Sequence, residues 1–108
     1  MPTTKLTLLR AADNPHALVL IDQEGGRVAR LRLPHWRKAP PARLLGDLYA
    51  RDPDLGLEAT RLNSRLLASD VASVGCDVDC LPVLDIAFPE THAVIGDRAY
   101  ADRPEPVA

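Results

Sequence analysis

Ala17-Leu18-Val19-Leu20-Ile21, followed at once by Asp22-Gln23-Glu24-Gly25-Gly26, is the stretch on which the fold turns. An unbroken apolar run, with Asn14-Pro15 before it and a glycine pair after it, predicts a strand buried on both faces, as in a parallel sheet. The polar triplet ends that strand, and the glycines permit a sharp turn. A second strand is predicted from Asp77 to Leu84, with Val78, Cys80, Leu81, Val83 and Leu84 as its apolar content. Pro82 either ends its ladder or sits where no N–H donor is needed.

Between the two strands lies the strongest helix signal of the chain. Asp52 can cap, Pro53 suits the first helical position, and Asp54 favours the positive end of the dipole. Leu55, Ala59, Leu62, Leu66, Val71 and Val74 follow at near-helical spacing, with Arg61, Asn63, Arg65, Ser69 and Asp70 largely opposite, and Gly75 provides the stop. Leu33 to Pro41 holds Pro34, Pro40 and Pro41 around the basic pair Arg37-Lys38 and reads as an irregular loop. A long polar segment runs from Asp85 to Tyr100, after which Asp102-Arg103-Pro104-Glu105 repeats the cap-then-proline pattern of a helix start.

Strand, helix and strand in that order predict a right-handed parallel βαβ unit. One helix leaves a sheet face and both edges uncovered, whereas parallel sheets are covered on both faces. The expected architecture is therefore α/β, a partial (β/α)8 TIM barrel, with residues 1–108 forming an incomplete barrel domain. A whole barrel takes about 250 residues.

Composition narrows the function classes. Thirteen Lys+Arg against fifteen Asp+Glu leave a formal charge of -2, so no broad basic face favours nucleic acid or an anionic membrane. Apolar residues make up 46%, enough for a globular core, but aromatics only 4%: Trp36, Tyr49, Phe88 and Tyr100. The core must come from aliphatic packing. Cys76 and Cys80 are spaced neither as a redox CxxC nor as part of a zinc cluster, and read as two reduced, partly buried thiols. Met1 to Arg10 lacks the apolar run of a signal peptide, and no stretch approaches the ~20 apolar residues of a membrane span, so the expectation is a cytoplasmic protein.

In α/β folds functional groups gather just past the C-terminal ends of the strands. Asp22 stands there, either projecting into a barrel mouth or capping its loop. Glu24 can contact a ligand or pair with Arg27 or Arg30. Gly25-Gly26 lacks the GxGxxG or Lys-Ser/Thr context of a phosphate loop. Arg30 and Arg98 can donate several fixed hydrogen bonds to a polyhydroxylated or carboxylated ligand, or be solvated surface groups. Asp85, at the end of the second strand, either joins Asp22 as a glycosidase-like carboxylate pair or orders the following loop through bonds to its backbone. No Ser-His-Asp or Cys-His arrangement is recognisable, and His16, His35 and His92 read as loop residues.

Taken together, Leu20-Ile21-Asp22-Gln23-Glu24-Gly25-Gly26-Arg27-Val28-Ala29-Arg30-Leu31, Leu81-Pro82-Val83-Leu84-Asp85 and Val94-Ile95-Gly96-Asp97-Arg98-Ala99-Tyr100 resemble the bacterial β-N-acetylhexosaminidases of glycoside hydrolase family 3. The resemblance spans about Ala17 to Ala108. It implies a TIM-barrel domain and, in cytoplasmic members, removal of terminal N-acetylglucosamine from peptidoglycan fragments by a retaining mechanism with no metal or cofactor. It further implies that Asp22 hydrogen-bonds sugar hydroxyls in the terminal subsite, that Arg30 belongs to the same wall, and that Arg98 reaches the sugar. Glu24 and Asp85 would support that site. Ala101 stands where many relatives have glycine. The family's KHFPGHG-like segment, its histidine acid/base and its aspartate nucleophile have no counterpart in this sequence, so none of its residues is expected to be catalytic. The first barrel strand of the family also precedes the matching segment. The chain by itself is expected to be inactive and marginally folded. The implied partner is a small N-acetylglucosamine-containing carbohydrate, with no nucleic acid and no membrane. Two alternatives are a non-catalytic carbohydrate-binding or interaction module and a glycosidase of another β-glycoside.

Overall fold

The structure, a computed structural model, describes residues 14–108. The reading of Met1 to Arg10 lies outside them. Two short parallel strands, β1 (Leu20–Ile21) and β2 (Val78–Asp79), pair in the register Leu20 to Val78 and Ile21 to Asp79. Between them come helices α1 (Ala42–Arg51) and α2 (Pro53–Ser73); a 3-10 turn, Gly96–Arg98, and a short helix α3 (Pro104–Val107) follow. The predicted βαβ order and parallel pairing are thus present.

The ladder is shorter than the apolar runs suggest, because carboxylates take over at its ends. The Val19 N–H donates to Asp77 Oδ2 at 2.8 Å and the Gln23 N–H to Asp79 Oδ1 at 3.0 Å, flanking a Cys80 N–H bond to the Ile21 carbonyl of 2.8 Å. The expectation that the first strand is buried on both faces is not met. Leu18 and Leu20 are 69% and 57% exposed, since a two-stranded sheet with its helices on one side has nothing among the described residues to cover the other.

Helix α1 was not expected from the sequence. Pro41, extended at ψ 156, leads into it, and Leu45 and Gly46 form its buried side. It stops at Asp52, whose N–H still reaches the Leu48 carbonyl at 2.8 Å, because Pro53 has no N–H with which to continue. The Asp52 carboxylate then accepts from the Leu55 N–H at 3.1 Å, so one residue closes α1 and caps α2. The C-terminal end of α2 is also as read: Gly75, at φ +84, turns the chain and returns its N–H to the Ala72 carbonyl.

The buried side of α2 differs from the leucine stripe. Gly56, Leu67 and Val71 are buried, as is Val74 just beyond, while Leu55, Leu62 and Leu66 are about half exposed. The cause is the partner helix. A side chain at Gly56 would run into the backbone of Tyr49, so α1 and α2 touch along the glycine side, which rotates the leucines outward. The core is aliphatic, as composition demanded: Leu45, Leu67, Val71, Val74, Ala29, Ala39 and a fully enclosed Ala99, with Gln23 the buried polar member.

Three smaller readings need correction. The residue before α3 is Arg103 and makes no side-chain cap, so Asp102 does not repeat the role of Asp52. Cys80 is exposed and only Cys76 is half-buried, because Cys80 lies on the open sheet face. Asp85 donates no order to the loop after it: no hydrogen bond joins its carboxylate to the described residues, and the loop is closed instead by Ala87 N–H to Ala101 and by the Thr91 hydroxyl to the Ile86 carbonyl. No helix among the described residues is long and apolar enough to cross a membrane, and none of their His, Cys, Asp and Glu side chains cluster as metal ligands.

Candidate functional site

Side chains alternate along a strand, so the register decides which groups meet. Continuing it one residue past the paired positions sets Asp22 level with Cys80, on the face that Leu20 and Val78 share. Ile21, Gln23 and Asp79 take the helix side. Asp22, Cys80, Arg30, Leu20 and Ile21 line an open hollow of about 320 Å³ at the C-terminal ends of the strands. Partial loss of water, followed by the charge and hydrogen-bonding carboxylate of Asp22, pushes the Cys80 thiol up and keeps it protonated.

Arg30 reaches Asp22 because the chain folds back between them. Gly25 and Gly26 have φ of +99 and +56, a backbone that other residues rarely adopt, and the Val28 carbonyl accepts the N–H groups of Glu24 and Gly25. Gln23 then fixes the return. Its Oε1 accepts from the Arg30 and Leu31 N–H groups at 2.8 and 3.0 Å, and its Nε2 donates to the Leu31 carbonyl at 3.0 Å. The result is a long contact, 3.4 Å, between Arg30 Nη2 and Asp22 Oδ2, with both side chains more than half exposed. Such pairs contribute about 0–1 kcal/mol, so a ligand can displace this one cheaply.

Glu24 does not choose between Arg27 and Arg30. It takes Arg98, whose Nε and Nη2 donate to its two oxygens at 3.0 and 2.9 Å; the Glu24 side chain is 9% exposed and that of Arg98 25%. This fork lies too far along the chain to be read from spacing. Arg27 makes the reciprocal tie, with Nε to Asp97 at 3.1 Å and Nη2 to the carbonyls of Val94 and Ile95 at 2.6 and 3.2 Å. Two crossed ion pairs thus lock the Gly25-Gly26 turn to the 94–98 loop. Glu24 chiefly, then the charges of Asp85 and Asp22, hold the Arg98 guanidinium further into its charged form against the cost of burial. Asp22, Glu24, Arg98 and Asp85 therefore share one neighbourhood, with Arg30 beside Asp22.

Sequence reading missed Gln23 and Arg27. For Gln23 a signal existed: it follows Ile21 at the strand period, and a polar side chain placed on a buried face must find partners. Asp79 shares that face, and the burial is less well answered. Its Oδ2 is enclosed without a hydrogen-bond partner, while burial first, and the charges of Asp22 and Glu24 after it, raise its pKa above the ordinary 3.8 against the lowering effect of the Gln23 N–H. A carboxyl raised on folding binds its proton more tightly in the native state, so its contribution to stability falls as pH rises through the range above 3.8. Urea unfolding should show wild type gaining on Asp79→Asn as the pH is lowered from about 7 toward about 4.5. A difference that stays constant with pH would refute the assignment.

A larger hollow, about 440 Å³, lies behind the sheet among Leu45, Tyr49, Leu57, Leu81, Pro82 and Val107, away from the strand-end groups except for Asp79.

No family model matches the chain. Relatives and solved structures do. A β-hexosaminidase of Nitrosomonas eutropha is 42% identical over 100 residues, and one of Xanthomonas axonopodis pv. citri 40%; the match takes in 93% of this chain but 28% and 29% of those proteins. NagZ of Neisseria gonorrhoeae, in its native crystal structure and in complex with N-trifluoroacetyl-D-glucosamine, superposes on 98% of the chain with a TM-score of 0.88 at 30% identity, using about 30% of its own length. The chain therefore spans under a third of the proteins it matches. The resemblance carried by the three motifs holds: this chain is related in sequence and in α/β fold to one segment of the β-hexosaminidases.

Proposed function

We propose that this chain forms one wall of the terminal N-acetylglucosamine subsite of a retaining β-N-acetylhexosaminidase built on a (β/α)8 barrel, acting in the cytoplasm on peptidoglycan-derived glycosides. Asp22 binds the sugar hydroxyls, Arg30 and Arg98 flank it, Glu24 and Asp85 support Arg98, and the acid/base and nucleophile come from residues outside these motifs. The observation that carries the reading is the Asp22 carboxylate, set at the end of a parallel strand beside an open hollow, with the exposed 3.4 Å contact to Arg30 as its ion pair among the described residues.

The chemistry suits a polyol. A carboxylate accepts from two neighbouring hydroxyls at once, and hydrogen bonds to a charged group contribute about 1.5–3 kcal/mol. Arg98 offers donors of fixed direction. Of the five N–H groups of a guanidinium, Nε and one on Nη2 are held by Glu24 and Nη1 leans on the Val94 carbonyl at 3.5 Å, so the remainder can face a ligand without the arginine itself moving.

Titration of the purified chain with N-acetylglucosamine, followed by NMR, tests the reading. Shifts should centre on residues 22, 30 and 98, and Asp22→Ala should weaken binding about 10- to 100-fold. The 4-nitrophenyl N-acetyl-β-glucosaminide should not be turned over. Unmoved spectra would remove the sugar site, and turnover abolished by Asp22→Ala would overturn the assignment of catalysis to other residues.

A further inference from the structure

Beside Gln23, a third hollow, of about 390 Å³, opens between the segment that follows the glycine turn and the proline-rich loop. Arg27, Arg32, Arg37 and Lys38 line it, and no aspartate or glutamate does. Thirteen cations against fifteen anions give the chain a net negative charge, so four cations around one cavity are a local reversal of its sign. Of these four, only Arg27 has an acidic partner among the described residues, Asp97 at 3.1 Å. Arg32 turns its Nε to the Ala29 carbonyl, which leaves its charge uncompensated, and no carboxylate pairs with Arg37 or Lys38 among the described residues.

The walls are held in place. The Gly26 N–H donates to the Ala39 carbonyl at 2.9 Å, Gln23 clasps Leu31 from below, and the Trp36 N–H bonds the Arg32 carbonyl at 3.1 Å. Ala29 and Ala39, both buried, make the floor. Like charges fixed near one another repel, and an anion bound among them relieves that repulsion while collecting charge-assisted hydrogen bonds. Because the backbone on both sides is already tied, the ordering left to binding is that of the exposed side chains themselves.

We infer that this hollow is an oxyanion pocket, which takes a phosphate or a carboxylate group through Arg32, Arg37 and Lys38. The inference goes beyond the sugar reading and stands without it. Trp36 is the sole tryptophan and adjoins Arg37 in the loop that bears it and Lys38, so its fluorescence reports on that wall of the pocket. The full chain, titrated with inorganic phosphate and separately with acetate, should show saturable changes in Trp36 emission and in the amide signals of residues 32–39, which NaCl of equal ionic strength does not produce. A response to phosphate alone assigns the pocket to phosphate, and one to acetate as well extends it to carboxylates. Raising NaCl from about 50 to 200 mM should weaken the binding severalfold. Arg37→Ala/Lys38→Ala should weaken it about tenfold or more, whereas the charge-keeping Arg37→Lys/Lys38→Arg should keep most of it. Because these side chains are exposed, unchanged far-UV circular dichroism should accompany both variants. Responses no larger than those to NaCl, or equal binding by the doubly neutralised variant, would overturn the inference. No sugar is present in this experiment, so its failure is separate from any failure of the Asp22 site.

Discussion

Gly46→Ala should remove most of the stability of this chain. A Cβ at position 46 would be forced into the backbone carbonyl of Tyr100, and neither side can yield without moving a whole segment. Helix α1 would have to lift from the strand of chain that follows the 3-10 turn. That lift would part Leu45 from its neighbours and break the Arg43 Nε bond to the Ala99 carbonyl. Overpacking of this kind costs about 1–3 kcal/mol where side chains can adjust, and more where backbone is struck. A domain has only about 5–15 kcal/mol in total. The far-UV helix signal should therefore fall before urea is added, or the urea midpoint should drop by a large fraction. Alanine raises intrinsic helix propensity by about 1 kcal/mol over glycine, so an isolated helix would gain from the same change. A variant as stable as wild type would show that the contact between α1 and Tyr100 is not formed as described.

Glu24→Gln should be the next most damaging substitution. It keeps the shape of the side chain but removes the charge, leaving the Arg98 guanidinium without its carboxylate in a place where only a quarter of that side chain meets water. Breaking a fully buried pair costs about 3–5 kcal/mol; with Arg98 partly solvated, about 2 kcal/mol is expected here. The loss should be localised. Amide exchange should quicken over 94–100, the loop that Glu24 holds, and less over α2. A double-mutant cycle with Arg98→Ala separates the pair from the rest: the double variant should be scarcely worse than either single one. Strictly additive losses would mean that the fork contributes nothing of its own. Because Arg98 would then be free to swing, binding of N-acetylglucosamine should weaken as well, although Glu24 makes no contact with the sugar in the proposed site.

Much of this molecule was legible in one dimension because its signals are local. Asp52-Pro53 states where one helix begins, Gly75 where it ends, and the run from Ala17 to Ile21 followed by Asp22 states that a strand stops on a carboxylate. Helix α1 was obscured by its surroundings. The prolines before it and the strong cap after it drew the boundary to Asp52, although Leu45, Leu48 and Tyr49 already repeat at helical spacing. The leucine stripe of α2 misled for a different reason. Periodicity reports which residues share a side of a helix, but the side that is packed depends on the neighbour, and here the neighbour settles onto Gly56.

What the amino-acid order determined by itself, then, was the parallel βαβ order, the placement of Asp22 just past a strand, and the three motifs that relate the chain to the β-hexosaminidases. Those properties depend on residues near one another in the chain. The partners of the charged groups were decided only in three dimensions. Glu24 could have met Arg27 three residues away or Arg30 six away, yet it meets Arg98 seventy-four residues on, while Arg27 crosses to Asp97. An ion pair is chosen by distance in space and by shelter from water, and neither exists until the glycine turn and the 3-10 turn have been packed together.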